Sequence, residues 1–270
     1  MCKRLLLSIA FALVVAGNAL AGGGLWQGNL GNGTAWDTAA SWERGVPTLL
    51  PGDATYVTYA GSGETEGPVI DSSINAESFN LILGWDSFTP SQNDTVTMTM
   101  IGGSLKVATD FWIGKDDAPH DDFFDGPGIF DISDGTVTVG ATSGMGHLVV
   151  GQGAEGTVNQ VGGSISAWRF VLDWFNEADP AVGRYNLHGG TLEVTDNEAP
   201  LHFRTNGSMD ITEGTMLLAS DHAGTVGNLI ASNQITAYGG AGTVIWDYDL
   251  THAGMTTVGS NSRSNSSGSR

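Results

Sequence analysis

GRYNLHGGTLEV, residues 183 to 194, consists of two short alternating segments joined by a pair of glycines. The pattern returns in GIFDISDGTVTV at 128 to 139, GTVNQVGGSISA at 156 to 167 and GSMDITEGTMLL at 207 to 218, and more faintly in TMTMIGGSLKV at 97 to 107. Aligned on the glycine that precedes a serine or threonine, successive copies lie 24 to 32 residues apart. A repeat of this length is typical of one supersecondary unit stacked on its neighbours.

Polar and apolar residues alternate within each copy. The second position after the aligned glycine is always apolar, namely Leu105, Val137, Ile165, Leu192 and Met216. Before the glycine, paired apolar residues recur at matching offsets. Gln160 is the exception, a polar residue at one of these apolar positions. A further apolar segment falls between copies, as in LILG at 81 to 84 and LVVG at 148 to 151. Alternation with period two predicts half-buried strands.

Three short strands per repeat, with glycine-rich corners, predict an all-β fold: a single right-handed parallel β-helix with a cap at each end. Almost no helical periodicity follows the first residues of the chain. A β-sandwich would also accommodate short strands and turns, but it does not explain why the copies match at fixed offsets.

The ends of the chain differ from the repeats. A basic start, an apolar run and the small residues Ala19-Leu20-Ala21 are typical of a secretory signal peptide cleaved after Ala21. We therefore expect a secreted, extracellular protein, whose only cysteine, Cys2, leaves with the signal. The expected divisions are a signal peptide at 1–21, an N-terminal cap at 22–60, β-helix repeats at 61–232, C-terminal capping strands at 233–258 and a disordered tail at 259–270.

Two parts of the chain resemble a known class of proteins. AWDTAASWERGVPTLLPGDATYV, residues 35 to 57, resembles the W…W…GxP…GD opening of large secreted bacterial β-helix proteins. The repeats are similar to the G-x-Y-x-h-x-G-G-T-L-x-V units of autotransporter-associated β-strand repeats and of extracellular proteins with C-terminal sorting signals. The resemblance implies a solenoid at a bacterial surface or in a matrix, and it implies no particular activity.

The chain is strongly acidic, with 29 Asp and Glu against 10 Lys and Arg and a formal net charge of −19. Nucleic acid is disfavoured as a partner, because phosphate binding needs clustered Lys and Arg. Polyanionic sugars are disfavoured too, unless a metal ion bridges the two negative surfaces. No segment after the signal is long and apolar enough for membrane insertion.

KDDAPHDDFFDGPG, residues 115 to 128, is the most acidic segment of the chain. Its candidate metal ligands are Asp116, Asp117, Asp121, Asp122 and Asp125. Hard oxygen ligands beside a glycine turn suit Ca²⁺, the one cofactor that the sequence suggests, although the spacing differs from that of an EF-hand loop. A solvated acidic turn is the alternative interpretation.

SAWRFVLDWFNEADP, residues 166 to 180, combines aromatic rings with charged side chains. The candidate carbohydrate-binding residues are Trp168, Trp174, Phe175 and Asp179. Sugar rings stack on aromatic faces while nearby polar groups bind the hydroxyls. In the alternative interpretation these rings only fill or cover one side of a coil.

A polar residue recurs four positions before each aligned glycine, at Thr99, Asp131, Asn159, Asn186 and Asp210. Stacked rungs lie about 4.8 Å apart, so these side chains should form a ladder on the outer surface. The ladder either grips a glycan or holds the rungs together by hydrogen bonds, and we favour the structural role.

Carbohydrate cleavage is the competing function. A lyase needs a basic group to abstract a proton, and a hydrolase needs two facing carboxylates, for which Arg169, Asp173 and Glu177 are the candidates. The basic residues do not share one repeat offset. We therefore predict a non-catalytic protein that binds or organises extracellular polysaccharide or matrix glycan. The alternatives are a polysaccharide lyase or glycoside hydrolase, and a self-associating surface-layer protein.

Overall fold

The structure is a computed structural model. It describes Trp26, residues 35–39, Trp42, and residues 46–49, 54–57, 67–84, 95–115, 126–142, 144–174 and 182–262. The strands among these residues are, in chain order, β1 (Ala54–Val57), β2 (Val69–Ile70), β3 (Asn75–Ser78), β4 (Asn80–Leu83), β5 (Val96–Val107), β6 (Phe111–Lys115), β7 (Gly128–Val139), β8 (His147–Gln152), β9 (Gly156–Gln160), β10 (Ser164–Ala167), β11 (Arg169–Leu172), β12 (Gly183–Leu187), β13 (Thr191–Val194), β14 (Leu201–Phe203), β15 (Gly207–Ile211), β16 (Thr215–Ala219), β17 (Ile235–Ala237), β18 (Thr243–Tyr248) and β19 (Met255–Asn261). They are joined by a helix, α1 (Ala223–Ala231), and a 3-10 turn, Tyr238–Gly240.

The strands stack in parallel as a β-solenoid of about five turns, which confirms the predicted fold class. A six-stranded sheet, here called the small sheet, has the order β1-β4-β6-β8-β11-β14. The remaining 13 strands form the large sheet, to which each central coil contributes the two segments that flank its aligned glycine. The apolar segments expected between the copies are therefore the strands of the small sheet.

Equivalent side chains of successive copies lie directly over one another in the interior. Leu105 pairs in register with Val137, Val137 with Ile165, Ile165 with Leu192, and Leu192 with Met216. None of the five is more than 1 % exposed. The alternation read from the sequence thus becomes a continuous apolar column, whose burial is the main source of stability in such a fold.

Gln160 occupies an inward position and is fully buried. Its amide nitrogen donates to the carbonyl oxygens of Thr191 at 3.1 Å and Gly163 at 3.3 Å. Its amide oxygen accepts the Tyr185 hydroxyl at 2.5 Å. Burial raises the pKa of Tyr185, so this phenol stays a donor. A buried amide needs such partners, and the polar break in the repeat is therefore internally satisfied.

Glycines with positive φ turn the chain sharply at the ends of the small-sheet strands. Gly114 has φ +70° and Gly151 has φ +77°. A Cβ on Gly151 would come within 2.7 Å of the Gly183 backbone nitrogen, so β12, which stacks on β9 in the following coil, leaves no room for a side chain.

The end of the described chain departs from the expected pattern. Residues 223 to 231, expected to be repeat, form α1, which has no capping side chain, no acid in its first turn and no base in its last, so the usual sequence signals of a helix are missing. After it, β18 and β19 form an antiparallel pair, and β19 also pairs antiparallel with β16. The last strand continues to Asn261, past the boundary expected at residue 258.

Near the start of the described chain, three tryptophans pack edge to face. The Trp26 and Trp42 ring centroids are 4.9 Å apart, and those of Trp36 and Trp42 are 4.8 Å apart. All three rings are buried, and the Trp42 indole nitrogen donates to the Trp36 carbonyl at 2.7 Å. These residues therefore extend the core beyond the repeats.

Candidate functional site

The structure describes some of the predicted site residues and places them together. Trp168 lies between β10 and β11, Arg169 begins β11, and Asp173 and Trp174 follow it. Phe175, Glu177 and Asp179 lie outside the described residues, as do the predicted Ca²⁺ ligands Asp116, Asp117, Asp121, Asp122 and Asp125. In the part of the chain that is described, no cluster of three or more His, Cys, Asp or Glu could hold a metal ion, and no helix could cross a membrane.

Two indole rings, one from each end of β11, flank a histidine of β8. The His147 ring centroid is 5.4 Å from Trp168 and 5.3 Å from Trp174, in edge-to-face geometry with both. The Trp168 and Trp174 backbone nitrogens donate to Gly146 O and Gly151 O, each at 2.9 Å, which holds both residues against β8 of the preceding coil. Both tryptophans are half-buried. We call these three residues, Trp168, His147 and Trp174, the aromatic corner.

Charged side chains orient the aromatic corner. The Arg169 guanidinium lies 4.0 Å over the Trp168 ring, a cation–π distance, and its Nε donates to Asp196. Asp110 Oδ1 accepts His147 Nδ1 at 2.7 Å and the His147 backbone nitrogen at 2.8 Å, so the far nitrogen of the imidazole is left for another partner.

Asp196 is nearly buried beneath Arg169, with 5 % of its side chain exposed. Burial acts to raise its pKa, but hydrogen bonds from the Glu198 backbone and from Arg169 outweigh burial, and the pKa of Asp196 is lowered. A carboxylate that stays ionised keeps Arg169 in place over Trp168.

Asp173 replaces a glycine at a corner of the coil. Its φ is +62°, where the preceding coils have Gly114 and Gly151. The side chain is 4 % exposed; its Oδ2 accepts the Asn206 backbone nitrogen at 3.0 Å, and its Oδ1 is buried without a hydrogen-bond partner. Burial raises the pKa of Asp173, against the smaller opposing effects of that hydrogen bond and of the Arg204 charge. A strained, buried acid of this kind is typical of functional sites.

The neighbouring strand, β14, and the residue that follows it add two basic side chains to the same surface, His202 and Arg204. His202 pairs in register with Val171, which lies between Arg169 and Asp173. Arg204 Nε lies 3.4 Å from His202 Nε2, and both residues are exposed. Partial desolvation of the ring lowers the pKa of His202, although the residue is exposed, and the positive charges of Arg204 and Arg169 lower it further. The sequence did not indicate this cluster, because its members sit at different repeat offsets and only strand register brings them together.

The polar ladder lies on the large sheet, away from this cluster, and its side chains bond to one another. Asn159 Nδ2 donates to Asp131 Oδ1 at 2.8 Å, and Asn186 Nδ2 donates to Asn159 Oδ1 at 2.7 Å. Asp210 at the end of the ladder accepts the Thr236 hydroxyl at 2.7 Å. The predicted structural role is thus confirmed for Asp131, Asn159 and Asn186, whose side chains bond from rung to rung.

The aromatic corner and the basic pair His202 and Arg204 together offer stacking surfaces and hydrogen-bond donors on the outside of the small sheet, beside the buried Asp173. No protein-family model, no curated protein and no solved structure matches this chain. The resemblance to autotransporter-associated β-strand repeats and sorting-signal proteins therefore stays a prediction.

Proposed function

We propose that this chain is a secreted, non-catalytic solenoid that binds or organises extracellular polysaccharide or matrix glycan. The observation that carries the proposal is the convergence of two half-buried indoles, Trp168 and Trp174, on the His147 ring. A tryptophan used only for packing would be buried like Trp26 or Trp36. Trp168 and Trp174 are instead each partly accessible.

The chemistry of the aromatic corner suits a sugar. The apolar C–H faces of a pyranose ring stack on an indole, and its hydroxyls need polar partners at the rim. His147 and Arg169 supply such partners, and both are held by carboxylates, Asp110 and Asp196. Because the side chains are already ordered, little conformational entropy is lost on binding.

The test is a glycan array followed by titration calorimetry on the full chain. Trp168→Ala and Trp174→Ala should each weaken binding of the best glycan by about tenfold or more, since each removes a stacking surface. Trp246→Ala is the control, because Trp246 is 43 % exposed but lies in β18, a strand of the large sheet, and not beside β11. Binding to no glycan, or equal losses in all three variants, would refute the proposal.

The array should also be run with Ca²⁺ and with a chelator. We propose that the acids at 116 to 125 take up Ca²⁺ as hard oxygen ligands. If they do, chelation lowers the melting temperature and added Ca²⁺ restores it, whether or not glycan binding changes. An unchanged melting temperature would contradict a Ca²⁺ site.

Cleavage of a polysaccharide is the second candidate, and Asp173 is the observation that favours it. A buried carboxyl with a raised pKa, in strained backbone beside a basic cluster, has the character of a general acid. An assay for new reducing ends and for unsaturated products on a substrate panel separates the two functions. Oligosaccharide release that is abolished by Asp173→Asn or Arg169→Gln would replace binding by catalysis as the function.

A further inference from the structure

We infer that Arg204 and His202 form an anion-accepting subsite beside the aromatic corner, so that the glycan bound there carries carboxylate or sulfate groups. This inference rests on the proposed function, and it runs against the long-range repulsion expected from a net charge of −19.

The strand register places the basic pair next to the aromatic corner. His202 in β14 is the register partner of Val171 in β11, and Arg169 lies two residues before Val171 on the same outer face. Adjacent strands are about 4.8 Å apart, so a sugar residue stacked at Trp168 or Trp174 has its neighbour within reach of β14. A chain of two or three sugars would therefore contact both groups.

The polar atoms of this pair that remain free are donors. Arg204 Nε lies 3.4 Å from His202 Nε2, which must accept because a guanidinium has no acceptor. The His202 proton is then on Nδ1, and the groups left for a ligand are that N–H and the terminal N–H groups of Arg204. Such a set suits an oxyanion, and guanidinium binds carboxylate or sulfate through two parallel hydrogen bonds.

The positive charge of Arg204 is not neutralised by an ion pair with any described residue. Arg169 is paired with Asp196 and Arg184 with Glu155, whereas Arg204 makes no ion pair with a described residue. Asp173, whose pKa the Arg204 charge lowers, is buried and already accepts the Asn206 backbone nitrogen. An exposed, unpaired arginine in a chain so rich in acids is a local exception to the charge of the whole protein.

The experiment compares an oligogalacturonate, its fully methyl-esterified form and a sulfated oligosaccharide by titration calorimetry with the full chain. At 0.15 M salt the screening length is about 8 Å, so the measurement reports mainly local charges. We expect the two anionic ligands, or one of them, to bind at least about tenfold more tightly than the methyl ester, the gain of a charge-assisted hydrogen bond. Tighter binding of the oligogalacturonate or of the sulfated oligosaccharide shows whether the subsite prefers carboxylate or sulfate.

The decisive variant is Arg204→Gln, with Arg184→Gln as the matched control, since Arg184 is an exposed arginine of the large sheet. Arg204→Gln should remove the preference for the anionic ligand and leave binding of the methyl ester unchanged, and the control should change neither. Equal affinities for charged and esterified ligands, or an Arg204→Gln loss common to both, would overturn the subsite. Neutral binding that Trp168→Ala still abolishes would then leave the proposed function standing.

Discussion

The outer faces of the two sheets carry polar side chains in different ways. On the large sheet, Asn159 and Asn186 repeat at one offset and hydrogen-bond along the stack. On the small sheet, Asp173, His202 and Arg204 follow no repeat, and Asp173 Oδ1 is buried without a partner. Polar residues that recur in register satisfy one another and stabilise the stack. Of those that break the repeat, His202 and Arg204 remain exposed, while Asp173 is buried with one oxygen unpaired; together they mark the candidate site.

The largest effect is expected in the core that both faces share. Phe170 is fully buried, with ring centroids 5.0 Å from Tyr185 and 5.3 Å from Phe203. Phe170→Ala should lower the free energy of unfolding by about 4 kcal/mol, because it removes apolar contacts and leaves a cavity. Denaturant unfolding measures this loss. Val161→Ala, at a site 56 % exposed, is the control expected to change stability by less than about 0.5 kcal/mol.

A smaller loss should follow when the buried polar pair is broken. Gln160→Leu leaves the Tyr185 hydroxyl without its acceptor and the Thr191 carbonyl without its donor, which should lower the free energy of unfolding by about 2 kcal/mol. Adding Tyr185→Phe should recover part of the loss, since the double variant no longer buries an unpaired hydroxyl. A double-mutant cycle in denaturant gives the coupling, and additive losses would contradict it.

Much of the fold follows from the sequence alone, because the residues of each copy lie at fixed offsets from the aligned glycine, and these offsets set the strand register. The column from Leu105 to Met216, the small-sheet strands and the outer ladder all lie where the repeat predicts. The site follows only in part: Trp168 and Trp174 stand out as aromatic insertions. Strand register alone brings His202 beside Arg169, and register with the next coil is not visible in either segment by itself. The helix α1 could not be predicted because it lacks sequence signals, and its stability comes from packing against the end of the solenoid.

The ladder itself can be tested with a change of one atom. Asn159→Asp replaces the donor at Asp131 by a second carboxylate, so two negative charges would lie at hydrogen-bond distance. We expect a loss of about 1 to 2 kcal/mol at pH 7 that disappears as the pH falls below about 4, where one carboxyl is protonated. Thermal unfolding against pH measures it. The same loss at every pH would mean that geometry, and not charge, holds the ladder together.

At the small sheet, Asp173→Gly should raise the free energy of unfolding by about 1 kcal/mol. The substitution restores the residue type that adopts positive φ at this corner in the preceding coils, and it removes a buried carboxyl oxygen without a partner. It also removes the acceptor of the Asn206 nitrogen, which limits the gain. Gly151→Asp is the reciprocal control, and it should destabilise because its Cβ would crowd the Gly183 backbone.

The pH dependence of this gain separates strain from charge. Because burial raises the pKa of Asp173 in the folded state, ionisation is disfavoured there, and the wild type loses stability as the pH rises through the unfolded value of about 3.9. The advantage of Asp173→Gly should therefore be smallest below pH 4 and grow until the pH exceeds the folded pKa. A constant advantage would assign the cost to backbone strain alone. A variant less stable at every pH would show that the hydrogen bond to Asn206 outweighs both costs, and Asp173 would then be a structural corner like the glycines it replaces.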